Sequence, residues 1–404
     1  MNIGVVAYIN PIEFKNYFDN TTILPNINKG ASSVNNITLG FLKAGHHVTI
    51  ITTTPEGKVT KHFYGENIAI HIIPTYNPIP KSYVFEKYYM VNRIKRELAL
   101  HINSMDVIHT HWTYDFALAC CFFANKKPVF CSIRDWAPII RHYERKHRKI
   151  LWWLIQEQLF HKVMSHTNVN FIANSPYIFE LMKKNYPQNK CTIIENPIKR
   201  SFILEKRNRY PKNPIVISIS QDLIEKRKNY TNLLLAFKLY LKNHNKQAKL
   251  ILIGNYNKNS KLYKEWCKRQ LLKNVEMPGF VDHDNLIKQL DSASVLIHPS
   301  LEESFGNTLL EGMARRIPVI GGNQSGAIPY VLGHGKYGIL CNVNTPKDIE
   351  EAIDKATRIE QNKECINNAT KYLMDNLNEE NISSKHIILF KEALGYNNQE
   401  TKDI

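Results

Sequence analysis

The stretch PSLEESFGNTLLEGMARRIPVIGG, residues 299–322, decides how this chain is read. SVLIHPS (294–300) is a short apolar run of strand type, and it leads into a loop carrying Glu302 and Glu303. Phe305-Gly306 then opens a helix of about ten residues that holds Glu311 and ends before Ile317-Pro318. A glycine lets the backbone approach a ligand closely, and a helix start offers unpaired N–H groups, so the turn suits a pyrophosphate. Glu311, further along the helix, can accept two hydrogen bonds from a ribose diol, as acidic residues do in dinucleotide sites. Glu303, ahead of the turn, is placed to hold sugar hydroxyls. A plainer reading competes: acids are favoured at a helix start and Arg315 and Arg316 in its last turn, with no ligand involved.

Outward from this stretch the pattern repeats. NPIVISIS (213–220), AKLILIGN (248–255), NVEMPG (274–279), IPVIGG (317–322) and GILCNV (338–343) are further buried-type strands. Helical segments near 229–243, 283–291, 306–316 and 346–358 separate them. The N-terminal half has the same alternation, with strands in IGVVAYI (3–9), HVTIIT (47–52), IAIHIIP (68–74), DVIHTH (106–111), PVFCSI (128–133), NFIANS (170–175) and CTIIEN (191–196). Alternating strands and helices imply parallel sheets covered on both faces. The polar, charged segment 201–214 reads as the linker. The expected fold is α/β: two doubly wound Rossmann-like domains facing across a cleft, over 1–205 and 214–375. A final helix near 380–396 is a candidate to pack back on the first. Such sheets bind ligands at the carboxyl ends of their strands.

A chain of 404 residues exceeds what one hydrophobic core organises, which also favours two domains. The formal net charge is +17, of which residues 1–200 hold +11. A basic N-terminal half suits a polyanionic partner such as a membrane surface or a phosphorylated acceptor, and equally suits a solvated basic surface. Seven scattered cysteines imply reduced thiols and a cytoplasmic setting, and without a Cys-x-x-Cys pair no zinc site is expected. The chain opens on a strand rather than a signal-peptide pattern, and no run of about 18 apolar residues offers a bilayer span.

Glu303-x7-Glu311, with Phe-Gly between them and Pro-Val-Ile-Gly-Gly after, resembles the signature of retaining glycosyltransferase family 4, the group 1 glycosyl transferases of GT-B fold. The resemblance implies that Glu311 binds the nucleotide ribose and Glu303 the donor sugar. The backbone of Ser304, Phe305, Gly306, Asn307 and Thr308 would meet the phosphates. ISISQDLIEKRKNY (217–230) resembles the segment that supplies a basic phosphate clamp; Lys228 is the first choice for the clamp and Arg227 the second. An arginine usual just after that strand is absent, with Gln221 or Asp222 in its place. Gly254 ends another family-like strand, and Phe280 and Val281 stand where backbone groups would meet the base. Gly30 falls in NKGASSVNN (28–36), similar to the family's glycine loop, where a helix cap by Ser32 or Ser33 is the competing role.

On the acceptor side, DVIHTHW (106–112) resembles a family stretch and makes His111 a candidate contact, against a purely structural role. Arg134-Asp135 occupies the place of a common His-Asp pair. Arginine cannot serve as a base, but it can bind a carboxylate or phosphate bidentately. RHYERKHRKILWWLIQEQLFHKVMSH (141–166) suits a helix at a membrane face through Trp152 and Trp153, or a core helix with a charged outer turn.

The resemblance implies transfer of a hexose-type sugar from a UDP- or GDP-sugar to an acceptor hydroxyl of a saccharide or lipid-linked acceptor. It further implies retention of configuration, in cell-surface polysaccharide or glycolipid synthesis, at the inner membrane face if membrane-bound. Asp282-His283-Asp284 reads as a loop and helix cap, so no metal or other cofactor is expected. Two alternatives stand: a GT-B nucleotide-sugar 2-epimerase, and a basic nucleic-acid-binding protein. The latter lacks a recognised motif and an aromatic platform, so no nucleic acid is expected as partner.

Overall fold

The computed structural model describes residues 1–27, 32–75, 83–143 and 147–396. It divides into two compact units. The first comprises Met1–Pro197 with Glu379–Ile404, and the second Ile198–Asn378.

The first unit holds an eight-stranded sheet formed by β1 (Asn2–Val6), β2 (His47–Thr54), β3 (Lys61–Gly65), β4 (Ile68–Pro74), β5 (Val107–His111), β6 (Val129–Ile133), β7 (Asn170–Ala173) and β8 (Cys191–Ile193). Their spatial order is β3-β4-β2-β1-β5-β6-β7-β8. All pair in parallel except β3, which runs antiparallel to β4 at the edge. The sequence reading missed β3 because KHFYG lacks the apolar run of its neighbours; Lys61, His62 and Tyr64 are exposed. The buried strands are apolar throughout because helices cover both faces, as parallel sheets require. On one face Met90, Ile94 and Leu98 of helix Tyr83–His101 join Phe116, Phe160 and Val163 in a single core. On the other, helix Ser32–Lys43 packs against Glu379–Ala393. There the Ser383 hydroxyl donates to the Ile37 carbonyl at 3.1 Å, and Lys43 pairs with Glu379 at 3.0 Å. The C-terminal helix thus belongs to the first unit.

The second unit holds six parallel strands: β9 (Ile215–Asp222), β10 (Lys249–Asn255), β11 (Val275–Gly279), β12 (Val295–His298), β13 (Val319–Gly322) and β14 (Ile339–Cys341). Their order is β11-β10-β9-β12-β13-β14. The chain winds outward from β9 in one direction, returns to β12, and winds outward in the other. The reversal falls between β9 and β12, and such a switch point leaves a crevice at the strands' carboxyl ends.

Segment 201–214 does not hang free as a linker. The Arg207 guanidinium donates to the carbonyls of Leu290, Asp291, Ala293 and Arg315 at 2.6–3.3 Å, and the Tyr210 hydroxyl donates to the Arg316 carbonyl at 2.6 Å. Two of these carbonyls lie in the last turn of helix His283–Ser292, where intrahelical donors run out; the Leu290 carbonyl also accepts the Ala293 N–H at 3.1 Å. A cation there also complements the helix dipole. Charge and proline content suggested solvent; backbone groups in need of donors bind the segment to the second unit instead.

Candidate functional site

The switch point gathers most of the donor-side residues singled out above. After β9 the chain makes a short turn, Lys226–Lys228, closed by Asn229 in the left-handed conformation at φ 59°. The Asn229 amide donates to the Pro299 and Val343 carbonyls at 3.1 and 2.7 Å, and the Arg227 carbonyl accepts from the Leu301 N–H at 2.8 Å. The basic turn is therefore sewn to the loop that follows β12.

That loop brings Glu303 onto three partners. One of its oxygens receives Lys228 Nζ at 2.5 Å, Arg227 Nη1 at 3.2 Å and His298 Nε2 at 3.0 Å. Arg227 also donates to the Glu302 carbonyl at 2.7 Å. Burial alone would raise the Glu303 pKa. The Lys228 and Arg227 charges outweigh it and hold the carboxyl well below its usual range. Burial lowers the Lys228 pKa against the pull of Glu303. It also lowers that of His298, which therefore stays neutral. A neutral His298 gives its Nε2–H to the carboxylate and accepts the Thr308 hydroxyl at Nδ1, 2.9 Å away.

Gly306 follows with φ +97° and begins helix Asn307–Ala314. A Cβ there would meet Ile328 Cδ1 at 2.6 Å, so conformation and space both require glycine. Phe305 is 2% exposed, and its ring anchors the turn in the core. Ser304, Asn307 and Thr308 are half-buried around the turn. Glu311, also half-buried, differs from Glu303. Among the described residues no side chain pairs with its carboxylate, and desolvation raises its pKa to about 7.

The remaining donor-side residues are placed less specifically. Gly254 has φ +148°, and a Cβ would stand 1.9 Å from the Ser220 carbonyl oxygen, so the approach of β9 to β10 by itself demands glycine. Phe280 is exposed and Val281 half-buried, just past β11. Asp282 caps helix His283–Ser292, accepting the Asn285 N–H at 2.8 Å, as read from the sequence. Gly30 lies outside the described residues. The sequence reading passed over His298 and Asn229. A histidine ending a strand five residues before Glu303 was the visible signal for the first.

In the first unit His111 and Arg134 come together. His111 Nδ1 accepts from Arg134 Nε at 3.2 Å and Nη2 at 2.8 Å, and Arg134 also donates to the Asn196 side chain. This fixes the proton on His111 Nε2, a buried atom with no hydrogen-bond partner among the described residues. Burial drives the His111 pKa far down, so the ring is neutral. The Arg134 pKa is pushed down to about 9 by burial, and the group stays cationic at neutral pH. Asp135 accepts the Tyr114 hydroxyl at 2.6 Å.

Two Rossmann-like units, one with a basic turn and a glycine-started helix at its switch point, define a two-domain enzyme of the GT-B fold. Residues 199–372 match the family model described as Glycosyl transferases group 1, and residues 30–202 that of Glycosyltransferase Family 4. The chain belongs to this family and is a glycosyltransferase. It is 23% identical over 387 residues to N-acetyl-alpha-D-glucosaminyl L-malate synthase of Bacillus anthracis, covering 90% of this chain and 94% of that one. It is 24% identical over 366 residues to alpha-monoglucosyldiacylglycerol synthase of Acholeplasma laidlawii, covering 86% and 88%. Sucrose-phosphate synthase from Thermosynechococcus elongatus superposes with a TM-score of 0.77 at 15% identity, covering 98% and 100%.

Proposed function

We propose that this glycosyltransferase moves a hexose-type sugar from a UDP- or GDP-sugar to an acceptor hydroxyl with retention of configuration and without a bound divalent metal in the reaction. One observation carries the reading: the two acids around Gly306 are held in opposite states. Glu303 is ionised and clamped by two cations, whereas Glu311 has no side-chain partner among the described residues and a pKa raised to about 7. An unpaired carboxylate one helix turn beyond a phosphate-type turn suits a ribose diol. A diphosphate at the Gly306 turn would draw on Lys228 and Arg227, which neutralise charge as the leaving group departs. Preformed charge of this kind is commonly the largest catalytic contribution. Glu303 would then be released from part of its clamp toward the sugar hydroxyls. Arg134 and the buried His111 belong to the acceptor side in this reading.

The names of the two relatives favour a small-molecule or lipid acceptor, and polysaccharide or glycolipid synthesis is the proposed setting. The basic first unit and exposed Leu151 and Leu154 on helix His147–Met164 fit a protein working in the cytoplasm at the inner face of a membrane. Among the described residues no helix is long and apolar enough to cross one.

A thermal-shift panel of UDP, GDP, ADP and their sugars tests the proposal, since a ligand of the folded state raises the melting point by mass action. One nucleotide should shift the wild type and leave Glu311→Ala unmoved; equal shifts in both overturn it. Incubating the donor without acceptor should leave the sugar unchanged, whereas conversion to its 2-epimer would replace transfer with epimerisation. Magnesium or manganese should not accelerate EDTA-treated enzyme; a rate that depends on either ion removes the metal-free part.

A further inference from the structure

At the edge of the first unit, four side chains from three elements turn toward one point. His62 on β3 and His71 on β4 face each other across the antiparallel pair, with Nδ1 atoms 2.8 Å apart. Helix Tyr83–His101 contributes Glu97 and, one turn later, His101, whose Nε2 lies 3.1 Å from Glu97 Oε1. The same carboxylate oxygen is 3.6 Å from His62 Nδ1 and 3.7 Å from His71 Nδ1. All four ligand atoms lie within 4.8 Å of one another.

Hydrogen bonds account for only part of this cluster. One proton can serve the two facing imidazole nitrogens, and His101 Nε2 bonds Glu97 at 3.1 Å, but at 3.6–3.7 Å the carboxylate makes no hydrogen bond to His62 or His71. A tetrahedral ion with bonds of about 2.0–2.1 Å separates its ligand atoms by about 3.3 Å. Separations of 2.8, 3.1, 3.6 and 3.7 Å within the cluster bracket that edge. His71 is 1% exposed, so its ring is held inside the fold facing the other three side chains. The rings of His71 and His101 stack at 3.9 Å, holding both in place.

We propose that His62, His71, Glu97 and His101 bind one divalent transition-metal ion, zinc by its ligand set, that staples the β3–β4 hairpin to helix Tyr83–His101. Three imidazoles and one carboxylate suit zinc and borderline metals rather than magnesium or calcium. Four protein ligands leave no open position, which makes the ion structural. A staple is useful here because β3 is a short edge strand with mostly exposed side chains. The described donor-side residues belong to the second unit, and none of the four proposed ligands is among the residues assigned to sugar transfer.

The test uses the tag-free full chain, stripped by chelator dialysis and titrated with zinc chloride. One zinc per chain should bind and raise the melting temperature, and cobalt(II) in its place should give the intense visible bands of a tetrahedral site. His62→Ala and His101→Ala, both at partly exposed positions, should fold and bind zinc more than about tenfold more weakly. The melting shift given by the effective nucleotide should persist in both. His71→Ala is the more severe variant; should it fail to fold, the other two still decide. Substoichiometric zinc in the wild type, or equal zinc affinity in the His62 and His101 variants, overturns the proposal and leaves a hydrogen-bonded cluster only.

Discussion

Glu303 and Glu311 stand eight positions apart yet respond to pH in opposite directions. The folded-state pKa of Glu311 is near 7, above an unfolded value of about 4.3. Its ionisation therefore penalises the fold as pH rises from about 4.3 to 7, and the penalty is complete above that. Glu311→Gln should stabilise the ligand-free protein at pH 8 by up to about 3 kcal/mol while abolishing the nucleotide shift. Calorimetry with and without nucleotide checks this, and a variant that is less stable or still shifts refutes the assignment. A ribose diol donates to the charged form, so wild-type nucleotide affinity should rise through pH 7. Glu303 is depressed instead. Its contribution is present above about pH 4.3 and lost as pH falls through its lower folded value. Glu303→Gln leaves Lys228 and Arg227 without their carboxylate and should cost about 3 kcal/mol. It should keep affinity for the bare nucleoside diphosphate and lose any preference for its sugar. Retained preference in a titration of both ligands counts against sugar contact. These opposite states were not legible in the sequence. Spacing alone located the two acids, but the clamp on Glu303 is made by His298, at the end of the strand before its loop, and by a turn 75 residues upstream.

The elements around the site were more legible than their ends. Buried strands announce themselves by apolar runs, and every strand of the second unit falls within the run that suggested it except β9, which runs two residues further, to Asp222. What the runs do not encode is a strand held by polar contacts. β3 pairs through its backbone and presents mostly exposed side chains, so its sequence carries no periodic signal. The histidines and Glu97 are likewise spread over two strands and a helix; the lack of a Cys-x-x-Cys pair spoke only to thiolate sites. Segment 201–214 was misread for the same reason, since the need of helix His283–Ser292 for donors at its end is invisible in the segment itself. Arg207→Ala should cost about 2 kcal/mol, because it removes charged donors from four carbonyls. Nucleotide affinity measured below the melting transition should not change; an unaltered denaturation midpoint would show the contacts to be idle. Gly306→Ala tests the turn itself. With φ +97° and a 2.6 Å clash against Ile328, it should lose about 1–3 kcal/mol and weaken nucleotide binding together. Binding at wild-type affinity would mean that the turn does not hold the phosphates.

At the scale of the whole chain the deciding quantity is charge. A net +17, with +11 in residues 1–200, attracts an anionic surface, and basic residues near such a surface contribute about 1 kcal/mol each within a Debye length. Charge alone would bind nucleic acid as readily as lipid, so an apolar feature must distinguish them. Helix His147–Met164 supplies one. Leu151 is 62% and Leu154 44% exposed, while Leu159, Phe160, Val163 and Met164 are buried in the core. One part of the helix lies in the core, and another presents leucines outward beside half-buried Trp152 and Trp153. Apolar side chains gain by entering the acyl boundary and gain nothing on a polyphosphate backbone. Full-length protein should therefore sediment with vesicles containing anionic phospholipid, less so as salt is raised, and hardly at all with neutral vesicles. Leu151→Glu combined with Leu154→Glu should fold, keep its nucleotide shift, and lose vesicle binding by more than about tenfold, since two exposed apolar anchors become two like charges. Unchanged sedimentation of this double variant would move the membrane contact elsewhere on the basic surface. Sedimentation equally strong with neutral vesicles would show that charge is not what brings the enzyme to the bilayer.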